Sequence, residues 1–211
     1  MVEALCDVDV RDYLQLAGGG VLTALAQEVD GSAEVAERFT AALRERRWEG
    51  DEKLAAELDA ALGLAAPPQL IDLPVDLEAL SELLEDGQRE GGAINLRSGE
   101  VWPMLVVDYT EETGEEAPDL EDQDEWLLVH SGGSRPGYRD MEVFIATVAD
   151  PAMVDRLSIA ISGRGAFGRF RGVLQRDEAL FDRWYGFSEE RRLGRARTRL
   201  ADAGYRPQPR R

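Results

Sequence analysis

Apolar residues recur at helical spacing through the first sixty positions of the chain. The clearest stripes are Val35, Phe39, Ala42 and Leu43, followed by Leu54, Leu58 and Leu62. The glycine-rich stretches "AGGG" (17–20) and "DGS" (30–32) are expected to separate these helices. Pro67 and Pro68 in "AAPPQL" mark a linker. The pattern therefore predicts a short helical N-terminal module over residues 1–66.

The next segment predicts one helix with clear signals at both ends. Asp76 is in position to cap it, and Gly87 follows its acidic last turn as a stop. The apolar face comprises Leu77, Leu80, Leu83 and Leu84.

The hydrophobic period then changes from helical to alternating, which is typical of strands. Ile94 and Leu96 predict a first strand, "RSGE" a turn, and residues 101–107 a returning strand. Pro103 places that second strand at an edge or a bulge. "EWLLVH" (125–130) predicts a third strand. We therefore expect a small antiparallel sheet.

From Tyr138 onward the pattern predicts helix almost continuously. The buried stripes comprise Met141, Phe144, Ile145, Val148, Val154, Leu157, Ile161, Leu180, Phe181, Trp184 and Phe187. Asp150 is predicted to restart the helix and Gly163 to end it. Ser188 is predicted to cap a last helix that stops at Gly204, and the tail "RPQPRR" is expected to be disordered. Residues 67–211 are thus predicted to form an α+β domain, a small antiparallel sheet packed with several helices.

Charge is unevenly distributed along this 211-residue chain, whose net charge is −18. Counting side chains gives −8 for residues 1–65 (6 basic, 14 acidic), −17 for 66–160 (5 and 22) and +7 for 161–211 (13 and 6). The C-terminal segment includes "RRLGRARTRL". The simplest interpretation is that this basic segment lies against the acidic body; the alternative is that it binds an external polyanion.

Several classes of function find no support in the residue types. One cysteine (Cys6) and one histidine (His130) provide neither a disulfide nor a ligand set for zinc or an iron–sulfur cluster. The acidic segment 108–125 lacks the spacing of a calcium loop and is predicted to be a solvated loop. The chain shows no signal peptide or membrane-length apolar run, so we expect a cytoplasmic protein without membrane contact, metal or cofactor.

The second half of the chain resembles a known bacterial group. "YRDMEVF" (138–144), "DPAMVDRL" (150–157) and "GRGAFGRFRGVL" (163–174) carry the resemblance, together with "RWYGFSEERRLGRARTRLADAGY" (183–205). These motifs look like uncharacterised protein family 0158, over residues 70 to 205. The resemblance implies that the second domain is one unit and the N-terminal helices an extension; it implies no function. Gly168 and Gly172 depart from the family pattern, which tends to have a basic and an acidic residue there.

The stretch "SGRGAFGRFRGVL" (162–174) provides the main candidate site. As a helix it places Phe167, Phe170 and Leu174 on a core face and Gly165, Gly168 and Gly172 on the opposite face. The candidate binding residues are Gly163, Arg164, Gly165, Arg169 and Arg171. Two uses of the glycine face are open: close packing by another helix, with the arginines reaching internal carboxylates, or binding of a phosphate group.

Other candidate motifs are weaker. The loop "SGGSRPGYRD" (131–140) follows a strand and precedes a helix, so Ser134 and Arg135 are further candidates for anion binding, although a plain turn is favoured. No flanking motif supports His130 and Ser134 as a catalytic pair. Trp184, Tyr185 and Phe187 could stack on bases or peptides but are typical of core. "GRGAFG" follows a helix, and therefore fails as a dinucleotide motif.

These observations favour a non-enzymatic interaction or regulatory protein. Its basic C-terminal helices would present arginines to a protein partner with an acidic surface or to a phosphate-bearing ligand. The leading alternative is nucleic-acid binding through "RRLGRARTRL", which is possible but not favoured. A more distant one is an enzyme acting on a phosphorylated small molecule, which would need a cleft beside residues 131–139.

Overall fold

A computed structural model describes residues 13–85, 91–113 and 118–209, with the backbone alone for 111–113. The predicted α+β class is confirmed. The helices of this part are α1 (Leu14–Ala26), α2 (Ser32–Arg46), α3 (Asp51–Ala61), α4 (Leu77–Leu84), α5 (Met104–Thr113), α6 (Arg135–Ile145), α7 (Pro151–Ile161), α8 (Ala166–Leu174) and α9 (Glu178–Asp202). The strands are β1 (Ile71–Leu73), β2 (Gly92–Asn95), β3 (Val101–Pro103), β4 (Trp126–Val129) and β5 (Tyr205–Pro207).

The strands form two small sheets. In the antiparallel sheet, of order β3-β2-β4, Gly92 lies opposite Pro103 on one side and Val129 on the other. β1 and β5 form a parallel pair in which Ile71 lies opposite Tyr205. The prediction of a disordered tail is therefore wrong for residues 206–207, because β1 supplies backbone partners 134 residues earlier in the chain.

The long helix α9 connects three hydrophobic clusters. Its 25 residues span about 37 Å at 1.5 Å per residue. One cluster lies within α1, α2 and α3, a second joins α4 and the sheet to the C-terminal half of α9, and a third joins α6, α7 and α8 to its N-terminal half. α9 also contacts α1 and α3, so the N-terminal helices pack onto it directly.

Several predicted element ends are confirmed. The Asp76 carboxylate accepts a hydrogen bond from the Glu78 amide, and the Asp150 carboxylate accepts one from the Ala152 amide. Both are N-caps of the expected kind. Gly163, with φ 78°, follows the end of α7. The stop predicted at Gly87 lies outside the described residues, as do Cys6 and part of the acidic segment.

Other predicted boundaries are wrong, each for a local reason. The glycines of "AGGG" lie inside α1 and break nothing. The strand predicted for 101–107 ends at Pro103, after which α5 begins, so the acidic segment starts within a helix. Ser188 lies within α9, where its hydroxyl donates to the Tyr185 carbonyl and caps no new helix. In the described part of the chain, no helix is long and apolar enough to cross a membrane.

Candidate functional site

The arginine-rich stretch of α9 is occupied by internal carboxylates. Its ion pairs are Arg191 with Asp140 (2.5 Å), Arg195 with Asp140 (2.9 Å) and with Glu85, Arg192 with Glu85 (3.6 Å) and with Glu189 (3.1 Å), and Arg197 with Glu57 (3.2 Å). All of these carboxylates except Glu189 lie outside residues 161–211, which confirms that the basic segment lies against the acidic body. Arg199 is exposed and has no ion pair among the described residues.

The pair of Arg197 and Glu57 is buried, since the two side chains are 2% and 4% exposed. Arg197 Nε also donates to the side-chain oxygen of Gln15 (3.0 Å), which is itself buried. Burial raises the pKa of the Glu57 carboxyl, although the charge of Arg197 opposes that shift. Buried polar contacts thus join α9 to α1 and α3, and the groups that form them are no longer solvated by water.

A second buried carboxylate, Glu190, caps α1 from a distant part of the chain. Its oxygens accept the amides of Gln15 (2.8 Å) and Leu16 (2.9 Å), while Arg46 lies 2.8 Å from Oε2. Tyr13, at the N-cap of α1, makes no side-chain cap. Burial raises the pKa of Glu190 against the opposing effect of these amides and of Arg46. The sequence gives no signal for this cap, because donor and acceptor are 175 positions apart.

Arg169, a predicted binding residue in α8, donates hydrogen bonds to the backbone that precedes this helix. Its guanidinium donates to the carbonyls of Ala160 (3.0 Å), Ser162 (2.6 Å) and Arg164. These carbonyls lie in the last turn of α7 and in the connection to α8, where backbone acceptors lack helical partners. Arg169 therefore stabilises the end of α7, and its guanidinium is already occupied by backbone carbonyls.

Replacing Arg169 with methionine is expected to lower the free energy of unfolding by about 1–2 kcal/mol, because several carbonyls lose their donor. Urea unfolding measures the effect. Arg171→Met is the matched control, because Arg171 is exposed and has no ion pair in the described part of the chain. This variant should lower the free energy of unfolding by less than about 0.5 kcal/mol. Equal losses in the two variants would contradict the capping role.

The other predicted residues of this loop remain at the surface. Arg164 and Arg171 are exposed, and neither has an ion pair with any residue that the structure describes. Gly163 (φ 78°) and Gly165 (φ 75°) adopt left-handed backbone conformations that side chains disfavour. These two glycines are thus explained by the turn between α7 and α8.

The glycine face of α8 is open. A Cβ built on Gly168 or Gly172 would meet nothing within 4 Å, so no described helix packs there and the packing interpretation of this face finds no support in the described part of the chain. The core-facing stripe is confirmed for Phe170 and Leu174, which are buried. It is wrong for Phe167, whose side chain is 46% exposed.

The second candidate loop lies beside α8. A Cβ on Gly137, in the first turn of α6, would be 3.1 Å from the ring of Phe167. Ser134 and Arg135 begin that same turn and are exposed, and the Ser134 side chain makes no capping hydrogen bond. Ser131 instead anchors the loop by donating to the Leu84 carbonyl. The structure thus brings the start of α6 next to Phe167.

The aromatic residues of α9 divide between core and surface. Trp184 and Phe187 pack with Phe144 and Phe170, with ring centroids 4.8 to 5.5 Å apart across the closest pairs. Tyr185 is 63% exposed. The core interpretation therefore applies to Trp184 and Phe187.

Three cavities are lined by described residues, and residues 131–139 line none of the three. Within the same part of the chain, no group of three or more histidine, cysteine or acidic side chains is placed to hold a metal ion. Comparison of the chain with models of known families, with curated proteins and with solved structures finds no match. The resemblance to uncharacterised protein family 0158 therefore stays a prediction.

Proposed function

We propose that this protein is a non-enzymatic interaction or regulatory protein that binds an acidic surface of another protein through α8. We define the α8 surface as Arg164, Phe167, Gly168, Arg171 and Gly172. The observation that carries the proposal is that Arg164 and Arg171 are exposed without an ion pair among the described residues, close in sequence to an exposed phenylalanine and to two helical glycines that no described side chain covers.

The charges of the surrounding chain support an acidic partner. Residues 162–176 hold four arginines and no acidic residue, within a protein of net charge −18. Four arginines of α9 have internal carboxylate partners, whereas Arg164 and Arg171 have no ion pair among the described residues. A charge-assisted hydrogen bond to each would contribute about 1.5–3 kcal/mol to binding.

The glycines support a protein surface as the partner. Each glycine costs about 1 kcal/mol relative to alanine inside a helix, and no packing contact offsets that cost at Gly168 or Gly172. Bare helical backbone at these glycines allows close approach of partner side chains. Phe167 would supply apolar contact beside Arg164 and Arg171.

The test uses a dye-labelled peptide rich in glutamate and leucine, titrated by fluorescence anisotropy. The double variant Arg164→Glu with Arg171→Glu is expected to weaken binding at least about tenfold, since two attractive contacts become repulsive. Arg199→Glu is the matched control, because it reverses an exposed arginine of α9 that also has no ion pair among the described residues. It should bind like the wild type.

Other outcomes would contradict the proposal. Equal weakening by Arg199→Glu would show that net charge alone controls binding. Tighter binding of duplex DNA, lost with Arg199→Glu and falling steeply with salt, would favour the nucleic-acid alternative. Displacement of the peptide by inorganic phosphate at low concentration would favour a phosphate-bearing ligand.

A further inference from the structure

A cavity of about 410 Å³ lies between α1, the start of α4, α9 and the chain after β5. Its size is within the range of small-molecule sites. It is distinct from the α8 surface, since it is lined by residues of other elements. Three features of its walls determine what it can bind: an open glycine, a buried arginine and a carboxylate at the rim.

The open glycine is Gly19 of α1. Three consecutive glycines inside a helix cost roughly 3 kcal/mol relative to alanine. Gly18 is explained by packing, because a Cβ there would overlap Leu54. A Cβ on Gly19 would meet nothing within 4 Å, and Gly19 lines the cavity. Packing therefore gives no reason for this glycine, and the space above it belongs to the cavity.

The buried arginine is Arg197, which lines the cavity and is 2% exposed. Its Nε donates to Gln15 and its Nη1 to Glu57. Its Nη2 has no hydrogen-bond partner among the described residues. Because Arg197 lines the cavity, an anionic group bound there could accept a charge-assisted hydrogen bond from this nitrogen.

The rim of the cavity carries charge of the opposite sign. Glu78, in the first turn of α4, lines the cavity and is exposed to solvent, as is the N-cap Asp76. The other lining residues include Leu16, Leu77 and Leu193. The exposed carboxylates favour a cationic group and Arg197 Nη2 favours an acceptor, so one small molecule that carries both charges complements the lining.

We propose that this cavity binds a small zwitterion, an α-amino acid with an apolar side chain. Its carboxylate accepts a hydrogen bond from Arg197 Nη2, its ammonium group lies toward Glu78, and its side chain packs between the apolar walls beside Gly19. This site is independent of the α8 surface, so the two proposals succeed or fail separately.

The test is isothermal titration of the full chain with L-leucine and with two analogues that each lack one charge, 4-methylpentanoate and 3-methylbutan-1-amine. L-leucine is expected to bind saturably, and each analogue at least about tenfold more weakly. Gly19→Leu places a side chain in the cavity and should abolish binding. Gly186→Leu is the matched control, since it adds the same side chain to another open helical glycine that does not line the cavity.

A second variant avoids any question of folding. Glu78→Gln changes one exposed side chain. It should weaken the binding of L-leucine several-fold, whereas 4-methylpentanoate should bind as tightly as to the wild type or more tightly. Four results would overturn the proposal: no saturable binding of L-leucine, unchanged binding by Gly19→Leu, equal binding of L-leucine and 4-methylpentanoate, or loss of binding in Gly186→Leu. The last would do so because Gly186 does not line the cavity.

Discussion

Replacing Arg197 with methionine is expected to lower the free energy of unfolding by about 3–5 kcal/mol. The substitution keeps much of the side-chain volume but leaves the Glu57 carboxylate buried without its ion-pair partner. Removing one member of a buried pair has this size of effect because the remaining charge keeps its desolvation cost. Gln15 also loses the donor to its side-chain oxygen. Urea unfolding of both proteins at neutral pH measures the difference.

The loss should depend on pH in a direction that identifies Glu57. Burial already raises the pKa of Glu57 above its unfolded value, and removing the guanidinium raises that pKa further. A raised folded pKa means that the native state retains a proton that the unfolded state releases, so stability falls as pH rises through that window. The destabilisation by Arg197→Met should therefore be smaller near pH 5 than near pH 8.

The double variant Glu57→Gln with Arg197→Met provides the control. Since glutamine is neutral, this protein should recover part of the lost stability and show a weaker dependence on pH than Arg197→Met. A loss below about 1 kcal/mol, or one of equal size at both pH values, would show that the pair contributes no more than a surface ion pair.

Much of the helical architecture could be predicted because amphipathic stripes and local caps carry it. Asp76 and Asp150 cap the predicted helices since the capping oxygen and the amide are two residues apart. The predicted boundaries are wrong where contacts between residues far apart in the sequence determine the local structure. β5 exists because β1 pairs with it, and α9 continues through Ser188 because its faces pack on several elements.

The candidate site was predictable only in part, for the same reason. The charge division indicated that the basic segment meets the acidic body, but no spacing shows that Arg197 pairs with Glu57 across 140 positions. Periodicity placed Phe167 in the core, whereas its neighbours leave it half exposed. The cavity beside Gly19 could not be foreseen, because a glycine run in a sequence indicates a break more often than an open helix face.

Gly194→Ala is expected to lower the free energy of unfolding by about 3 kcal/mol, at the upper end of typical overpacking effects. A Cβ on Gly194 would overlap the Glu49 carbonyl oxygen, and one on Gly50 would overlap the Gly194 carbonyl, so the two backbones touch here. Neither backbone atom can rotate away as a side chain could. Trp48 packs edge-on against Phe187, about two turns earlier in α9, with ring centroids 5.0 Å apart, so separating the two segments also disturbs an aromatic contact.

The matched control is Gly186→Ala, eight residues earlier in α9. A Cβ there would meet nothing within 4 Å, so alanine should raise stability by about 0.5–1 kcal/mol through helix propensity. Urea unfolding of the two variants separates steric contact from helix propensity, and equal effects would contradict the close approach.

The number of transitions in the urea-unfolding curve of Gly194→Ala tests whether the two modules unfold together. If residues 1–66 form a separate module, weakening its contact with α9 should split the curve into two transitions, whereas a single transition at lower urea would show that the modules fold as one unit.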